Sequence, residues 1–325
     1  MKAVLCVAHG DPSALQWTDV PAPQPQTGQV RIRVSAAAVN FPDALVITGR
    51  YQHQPPLPFS PGCEGAGVVS GLGDGVDRLA VGQRVLFSAP FGAFAEEVAV
   101  DQASVFPIPD DMPDTDAAGF LLAYATAYHA LKQRGRLQPG ETLLVLGAAG
   151  GVGLAAVELG VAMGATVIAC ASTPDKLEIC KSRGAHGLLQ YGSPETLKSQ
   201  ILDATGGKCP DVIYDPVGGD YAEPAFRTIA WEGRYLIIGF AGGGIPRLPL
   251  NLPLLKGASV VGVIAGTFMN VAPDESAENV SELMDMYRRG LLKPTVSRTL
   301  PLSRAPEAIA DLSERRAVGK IILTA

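Results

Sequence analysis

The apolar positions change their rhythm once along the chain. Up to about residue 120 they come in short runs broken by Pro and Gly. "VRIRVSAAAVN" alternates, and "GAGVVSGLG", "GQRVLFS" and "FAEEVAVD" are strand-length segments between turn signals. This pattern predicts an irregular β barrel or sandwich. Near Asp114 the rhythm turns helical: "DTDAAGFLLAYATAYHALKQRG" opens on N-cap candidates and closes on Gly. Strand-like and helix-like segments then alternate. The strands are predicted at Thr142–Gly147, Thr166–Cys170, Gly187–Gln190, Val212–Asp215, Arg234–Gly239 and Ser259–Val263. Six strands with crossover helices predict a doubly wound parallel sheet. The last segment, about 295 to 325, returns to strand-like runs such as "GKIILTA" and is expected to rejoin the first part.

Composition narrows the class. A chain of 325 residues is long enough for two domains. A net charge of −6 argues against nucleic acid or an anionic membrane as the main partner. The five cysteines are scattered, with no Cys-x-x-Cys pair, so neither a disulfide framework nor a zinc knuckle is expected and a reduced, cytoplasmic setting fits. The N-terminus reads as a first strand and turn rather than a signal peptide. From Leu143 to Ala171 the only charged side chain is Glu158, which is long enough for a bilayer span. Six glycines interrupt the stretch, and a buried strand–turn–helix–strand unit explains them better.

That stretch carries the strongest chemistry. An apolar strand runs into "GAAGGVG" and then a small-residue helix, the nucleotide fingerprint in an Ala-x-Gly-x-x-Gly form. Gly150 allows a pyrophosphate to approach, and Gly153 lets the helix pack tightly. The helix N-terminus offers N–H donors to phosphates. A tight βα turn with nothing bound is the plain alternative. At the end of the second strand an NAD site would place Asp or Glu. Here Ala171 stands in that place, followed by Ser172 and Lys176, which suit a 2′-phosphate, with Tyr191 able to cover the same pocket. The cofactor expected is NADPH.

These residues, with "AAAVNFPDALVITGRY", "PFSPGCEGAGVV", "VIYDPVGG" and "RRAVGKIIL", resemble the zinc-free quinone oxidoreductase (zeta-crystallin-like) branch of the medium-chain dehydrogenase/reductase superfamily. The resemblance runs essentially the full length. It implies an α/β fold: a GroES-like β-rich catalytic domain from residues 1–122 and 295–325, and a Rossmann NADPH-binding domain with a six-stranded parallel sheet from 123–294. It implies a homodimer, often paired through the sixth Rossmann strand. By position it places Thr126 beside the cofactor and Gly150, Gly151 and Val152 under the pyrophosphate. Ser172, Lys176 and Tyr191 hold the 2′-phosphate. Gly239 and Phe240 lie against the adenosine or diphosphate, Arg316 reaches toward the cofactor, and Asn40 lies near the nicotinamide. Thr126 packing in its helix and Arg316 as a surface charge are the plain alternatives.

In zinc-dependent relatives the positions of Asn40, Cys63 and about Leu122 carry Cys, His and Cys. Here Leu122 cannot ligate and neutral Asn is a poor ligand, so no metal site is expected, and no structural zinc lobe either. Without zinc to acidify a bound hydroxyl, the resemblance implies acceptors already primed for hydride: quinones and α,β-unsaturated carbonyls. Tyr51 either donates to the acceptor oxygen or packs on its Pro-rich loop. His53 reads as a loop histidine, and Asp43 as a group that fixes the loop. Two alternatives stay open: an enoyl-thioester reductase of the 2-enoyl or acryloyl type, and an NADPH-binding structural or RNA-binding crystallin-like protein.

Overall fold

The structure is a computed structural model and describes residues 1–314 and 316–325. It divides into two compact units: Met1–Leu122 with Pro294–Ala325, and Ala123–Lys293.

The first unit is built on strands β1 (Lys2–Leu5), β2 (Gln16–Asp19), β3 (Gln29–Val39), β4 (Glu64–Leu72), β5 (Arg84–Ser88), β6 (Glu97–Asp101) and β7 (Val105–Pro107). Helices α1 (Phe41–Ile47) and α2 (Asp114–Ala118) interrupt them. β3 is the hub of eleven residues: it pairs antiparallel with β4 over Val30–Ala37 and, over its first half, with β6. Its inward side chains Val30, Ile32 and Val34 are almost fully buried, as the alternating pattern requires. The sequence did not predict α1. Its start signals are nevertheless present: Asn40 is the N-cap, Pro42 sits in the first turn, and the Asp43 carboxylate accepts from the Asn40 N–H at 2.7 Å.

The segment read as one helix is three pieces that lead from the first unit into the second: α2, α3 (Leu121–His129) and a π-helical turn at Ala130–Arg134. Gly119 caps α2 and separates it from α3. Then come β8 (Thr142–Val145), α4 (Gly151–Ala162), β9 (Thr166–Ala171), α5 (Pro174–Ser182), β10 (Gly187–Gln190), α6 (Pro194–Ala204), β11 (Val212–Asp215), α7 (Ala222–Phe226) and β12 (Arg234–Ile237). The unit closes with α8 (Asn251–Lys256), β13 (Ser259–Gly262), α9 (Ala265–Val271) and α10 (Pro273–Arg288). All six strands are parallel, in the order β10-β9-β8-β11-β12-β13. The order reverses direction between β8 and β11, which opens a crevice at their carboxyl ends. β8 and β11 are buried on both faces, so they read as unbroken apolar runs rather than alternating ones.

The tail returns to the first unit as β14 (Val296–Pro301), α11 (Ala305–Ser313) and β15 (Lys320–Thr324). β14 and β15 run parallel, which requires a crossover, and α11 supplies it. The reading of this tail as strands alone therefore missed a helix. β15 lies antiparallel to β3, with Ile321 opposite Val39. This register sets the start of β15 beside the end of β3.

Candidate active site

The glycine-rich turn joins β8 to α4. Gly147 has φ +58°, a left-handed conformation that glycine adopts without strain. A Cβ on Gly153 would stand 2.3 Å from the Gly147 carbonyl oxygen, so only glycine lets the first turn of α4 fold back on this loop. Gly150 differs. It is exposed, and a Cβ there would meet nothing nearer than 3.4 Å. The space over Gly150 is thus open, and α4, whose first N–H groups have no partner within the helix, starts beside it.

The ends of β11 and β12 come to the same place. Asp215 closes β11 and is 2% exposed. Its carboxylate accepts from the N–H groups of Val217 at 2.7 Å and Gly218 at 2.9 Å, and from the Tyr235 hydroxyl. Burial raises its pKa against the pull of those donors. The loop it holds packs on both sides. Val217 would be 2.9 Å from a Cβ on Gly147, and the Phe240 ring 2.8 Å from one on Gly218. Gly239 and Phe240 therefore share the switch-point crevice with the Gly147–Val152 turn. Sequence reasoning gave Asp215 no role of its own; the signal that could have found it is a lone acid at a strand end before Pro-Val-Gly-Gly.

The ends of β9 and β10 lie side by side, with Gln190 opposite Ala171. The Tyr191 N–H donates to the Ala171 carbonyl, and Gln190 Nε2 donates to the Ser172 carbonyl at 3.3 Å. Tyr191 packs against Tyr221 with ring centroids 5.1 Å apart. Lys176 lies in the first turn of α5, whose N-cap Thr173 accepts from the Lys176 N–H. No acid stands at the end of β9: Ala171 occupies it, with exposed Ser172 next. An open glycine turn at a helix start and a strand end with a hydroxyl and an ammonium nearby fit a dinucleotide carrying a 2′-phosphate. Thr126 is half-buried on α3.

In the first unit a polar cluster sits at the adjoining ends of β15, β3 and β4. Glu64 is fully buried. Its Oε1 accepts from Lys320 Nζ at 2.8 Å and from Asn40 Nδ2 at 3.0 Å, and its Oε2 from the Leu122 N–H at 2.8 Å. Lys320 Nζ also donates to Asn40 Oδ1. Cys63 precedes Glu64, and burial, then Asp43 and Glu64, push its thiol well above the ordinary range. Asp43 is buried and raised to about 7, chiefly by desolvation. Tyr51 is half-buried against the core of this unit, and burial raises its pKa, with Cys63 and Asp43 adding to the rise. Its ring meets His53 edge-on at 6.4 Å.

The positions of Asn40, Cys63 and Leu122 thus converge, but on an ammonium–carboxylate pair. Leu122 takes part through its backbone, and the only anionic oxygen it meets is already engaged. This donor set does not suit zinc, which takes three N, S or O protein ligands. Among the described residues no group of three or more His, Cys, Asp or Glu could hold a metal ion. Arg316, in the same unit, lies beyond α11 and folds back onto its end: it pairs with Asp311 at 2.6 Å and with Glu314.

The chain matches two family descriptions, "Alcohol dehydrogenase GroES-like domain" over residues 26–110 and "Zinc-binding dehydrogenase" over 151–285. It is 36% identical over 99% of its length, and 88% of the other protein, to the quinone oxidoreductase-like protein 2 homolog of Nematostella vectensis. The chain belongs to the quinone oxidoreductase branch of the medium-chain dehydrogenase/reductase superfamily. Solved members share its architecture. The quinone oxidoreductase of Pseudomonas syringae superposes with a TM-score of 0.92 at 32% identity, covering 100% of this chain and 99% of that one. The Escherichia coli quinone oxidoreductase, complexed with NADPH, gives 0.93 at 27% identity with both chains fully covered. The α/β fold with a GroES-like part and a Rossmann sheet is thereby the family's, and this family member is a medium-chain oxidoreductase.

Proposed function

We propose that this enzyme is an NADPH-dependent reductase of quinones or α,β-unsaturated carbonyls that works without zinc. The observation that carries the reading is the Glu64–Lys320–Asn40 cluster. The donor position that could serve a metal is taken up by an internal cation, so an alcohol oxygen would find no Lewis acid there. A conjugated acceptor does not require one, because its own π-system spreads the developing charge.

NADPH, when bound, supplies the hydride. Gly150, Gly151 and Val152 with the start of α4 hold its pyrophosphate, Ser172, Lys176 and Tyr191 its 2′-phosphate, and Gly239 and Phe240 the adenosine side. The Asp215 carboxylate keeps the Val217–Gly218 loop in the shape that leaves this crevice open. Asn40 serves the nicotinamide end. Thr126 and Arg316 complete the cofactor contacts, Arg316 by exchanging its Asp311 partner for a phosphate. Tyr51 donates a hydrogen bond to the acceptor oxygen, and its raised pKa keeps the phenol protonated. Residues 1–122 and 295–325 act as the catalytic domain and 123–294 as the cofactor domain, in a homodimer of the cytoplasm. Among the described residues no helix is long and apolar enough to cross a membrane.

The test is a substrate panel with metal analysis of the purified protein. NADPH-driven turnover of quinones or enones, unaffected by chelator and with no stoichiometric zinc, is the expected result. Turnover of enoyl thioesters alone, or zinc held through Cys63, would overturn it.

A further inference from the structure

Lys320 is the one lysine buried among the described residues, at 6% exposure. Its stem runs under the end of α2, where a Cβ on Gly119 would meet Lys320 Cγ at 3.2 Å. Burying an ammonium and a carboxylate together costs several kcal/mol of desolvation per ion, and an apolar pair of the same volume is often as stable or more so. Stability therefore does not by itself account for a buried pair in such a place.

What the pair arranges is the Asn40 carboxamide. An asparagine has two N–H donors and an oxygen that accepts twice. Both Asn40 donors are spent, on the Ala38 carbonyl at 3.2 Å and on Glu64 Oε1 at 3.0 Å. Its oxygen takes Lys320 Nζ, and the Asp43 N–H at the start of α1 goes to the Asn40 backbone carbonyl at 3.0 Å, so the helix leaves the second lone pair of the side-chain oxygen available. Turning the amide over would set its NH2 against the ammonium and its oxygen against the carboxylate. Both contacts would then be repulsive, so the pair holds the amide one way round.

We infer that Lys320 is a positioning residue that holds Asn40 as a hydrogen-bond acceptor only, so that the group Asn40 receives in the site is a donor, an amide N–H or a hydroxyl. The inference rests on the reading of Asn40 as a member of the reductase site. Lys320 reaches the reaction through Asn40 and touches neither cofactor nor acceptor. Its place at the start of β15, across the sheet from Asn40, is how the carboxyl-terminal tail exerts this control.

Steady-state kinetics with NADPH and a quinone test it in three variants: Asn40→Ala, the charge-neutral pair Lys320→Met/Glu64→Gln, and the triple combination. Asn40→Ala is expected to lower kcat/KM roughly three- to tenfold, the value of one neutral hydrogen bond. The neutral pair should lose a similar factor, because its amide is free to turn, and the triple variant should be no worse than Asn40→Ala. Multiplying losses in the triple variant, or wild-type kinetics in a folded neutral pair, would overturn the inference. Wild-type kinetics in Asn40→Ala would sink the reading of Asn40 instead. A readout independent of variant folding is the side-chain NH2 of selectively 15N-labelled Asn40 in the unaltered enzyme. Both NH2 protons are expected to be protected from exchange with solvent, and rapidly exchanging ones count against the lock.

Discussion

Lys176 and Asp43 show two ways in which one charge can set behaviour. An ammonium on a 2′-phosphate forms a charge-assisted hydrogen bond, and its loss costs about 1.5–3 kcal/mol. Lys176→Ala is therefore expected to weaken NADPH binding roughly ten- to a hundredfold and to leave NADH binding nearly unchanged. Isothermal titration with both nucleotides checks this; equal losses for the two would remove Lys176 from the phosphate site. Asp43 acts through protonation. Burial is the largest cause of its shift to about 7; the Asn40 N–H, Lys320 and the Gly62 N–H pull it down, and Glu64 pushes it up. The folded state then holds a proton that the unfolded chain has already lost between about pH 4 and about pH 7, so stability falls as pH rises through that window and is flat above it. Asp43→Asn keeps an oxygen for the Asn40 N–H and cannot ionise. It should flatten that slope and gain most over wild type above pH ~7. Denaturant titrations across the range measure it, and parallel curves would refute it. The residues proposed for the 2′-phosphate could be nominated from the sequence because they follow strand ends at short, fixed spacing. Lys320 was not, because its partner Asn40 lies 280 residues away and no local pattern records the pairing.

At the scale of elements, the parallel strands were read nearly to the residue, because the central ones (β8, β9 and β11) are buried on both faces and read as apolar runs, and the edge strands β10 and β13 stand between turn signals. Helices α1 and α11 were missed because they are short and bounded by prolines, in segments whose composition otherwise favours strands. In α11, Ala305, Ala308 and Ile309 are all buried, a helical spacing of three and four that the small side chains made easy to overlook. Glu158 on α4 shows why an apolar helix carries one charge. It is 4% exposed, and its Oε2 accepts from the Tyr124 hydroxyl at 2.6 Å and the Lys293 N–H at 3.0 Å. Arg183 lies 3.4 Å from its other oxygen. Glu158→Ala strips the acceptor from two buried donors and is expected to cost about 2–4 kcal/mol. A thermal or denaturant midpoint within error of wild type would show that the carboxylate is not holding these elements together.

For the whole molecule the open question is what lies against β13. This strand pairs with β12 on one side, and on the other its backbone N–H and C=O groups have no partner strand in the sheet. Such an edge is a template for a further strand, and isolated proteins usually protect it with charge or Pro. Arg134 Nε donates to the Gly262 carbonyl at 3.1 Å, but the rest is apolar: Val260 is 43% exposed in the strand itself, and Trp231, Leu254, Leu255 and Ile264 are 52–79% exposed. Contiguous apolar surface of this kind marks an association site. A second copy is the simplest occupant, since two identical edges related by a two-fold axis pair antiparallel and continue the sheet through both subunits. Val260→Lys places an ammonium on that edge, where pairing would bury it opposite apolar neighbours. The wild type is expected to run at twice the chain mass in light scattering coupled to size exclusion, and Val260→Lys at the chain mass with its fold intact by circular dichroism. A monomeric wild type, or a Val260→Lys protein that remains a dimer, would place the subunit contact elsewhere and leave the exposed face of α8 and β13 for a different partner.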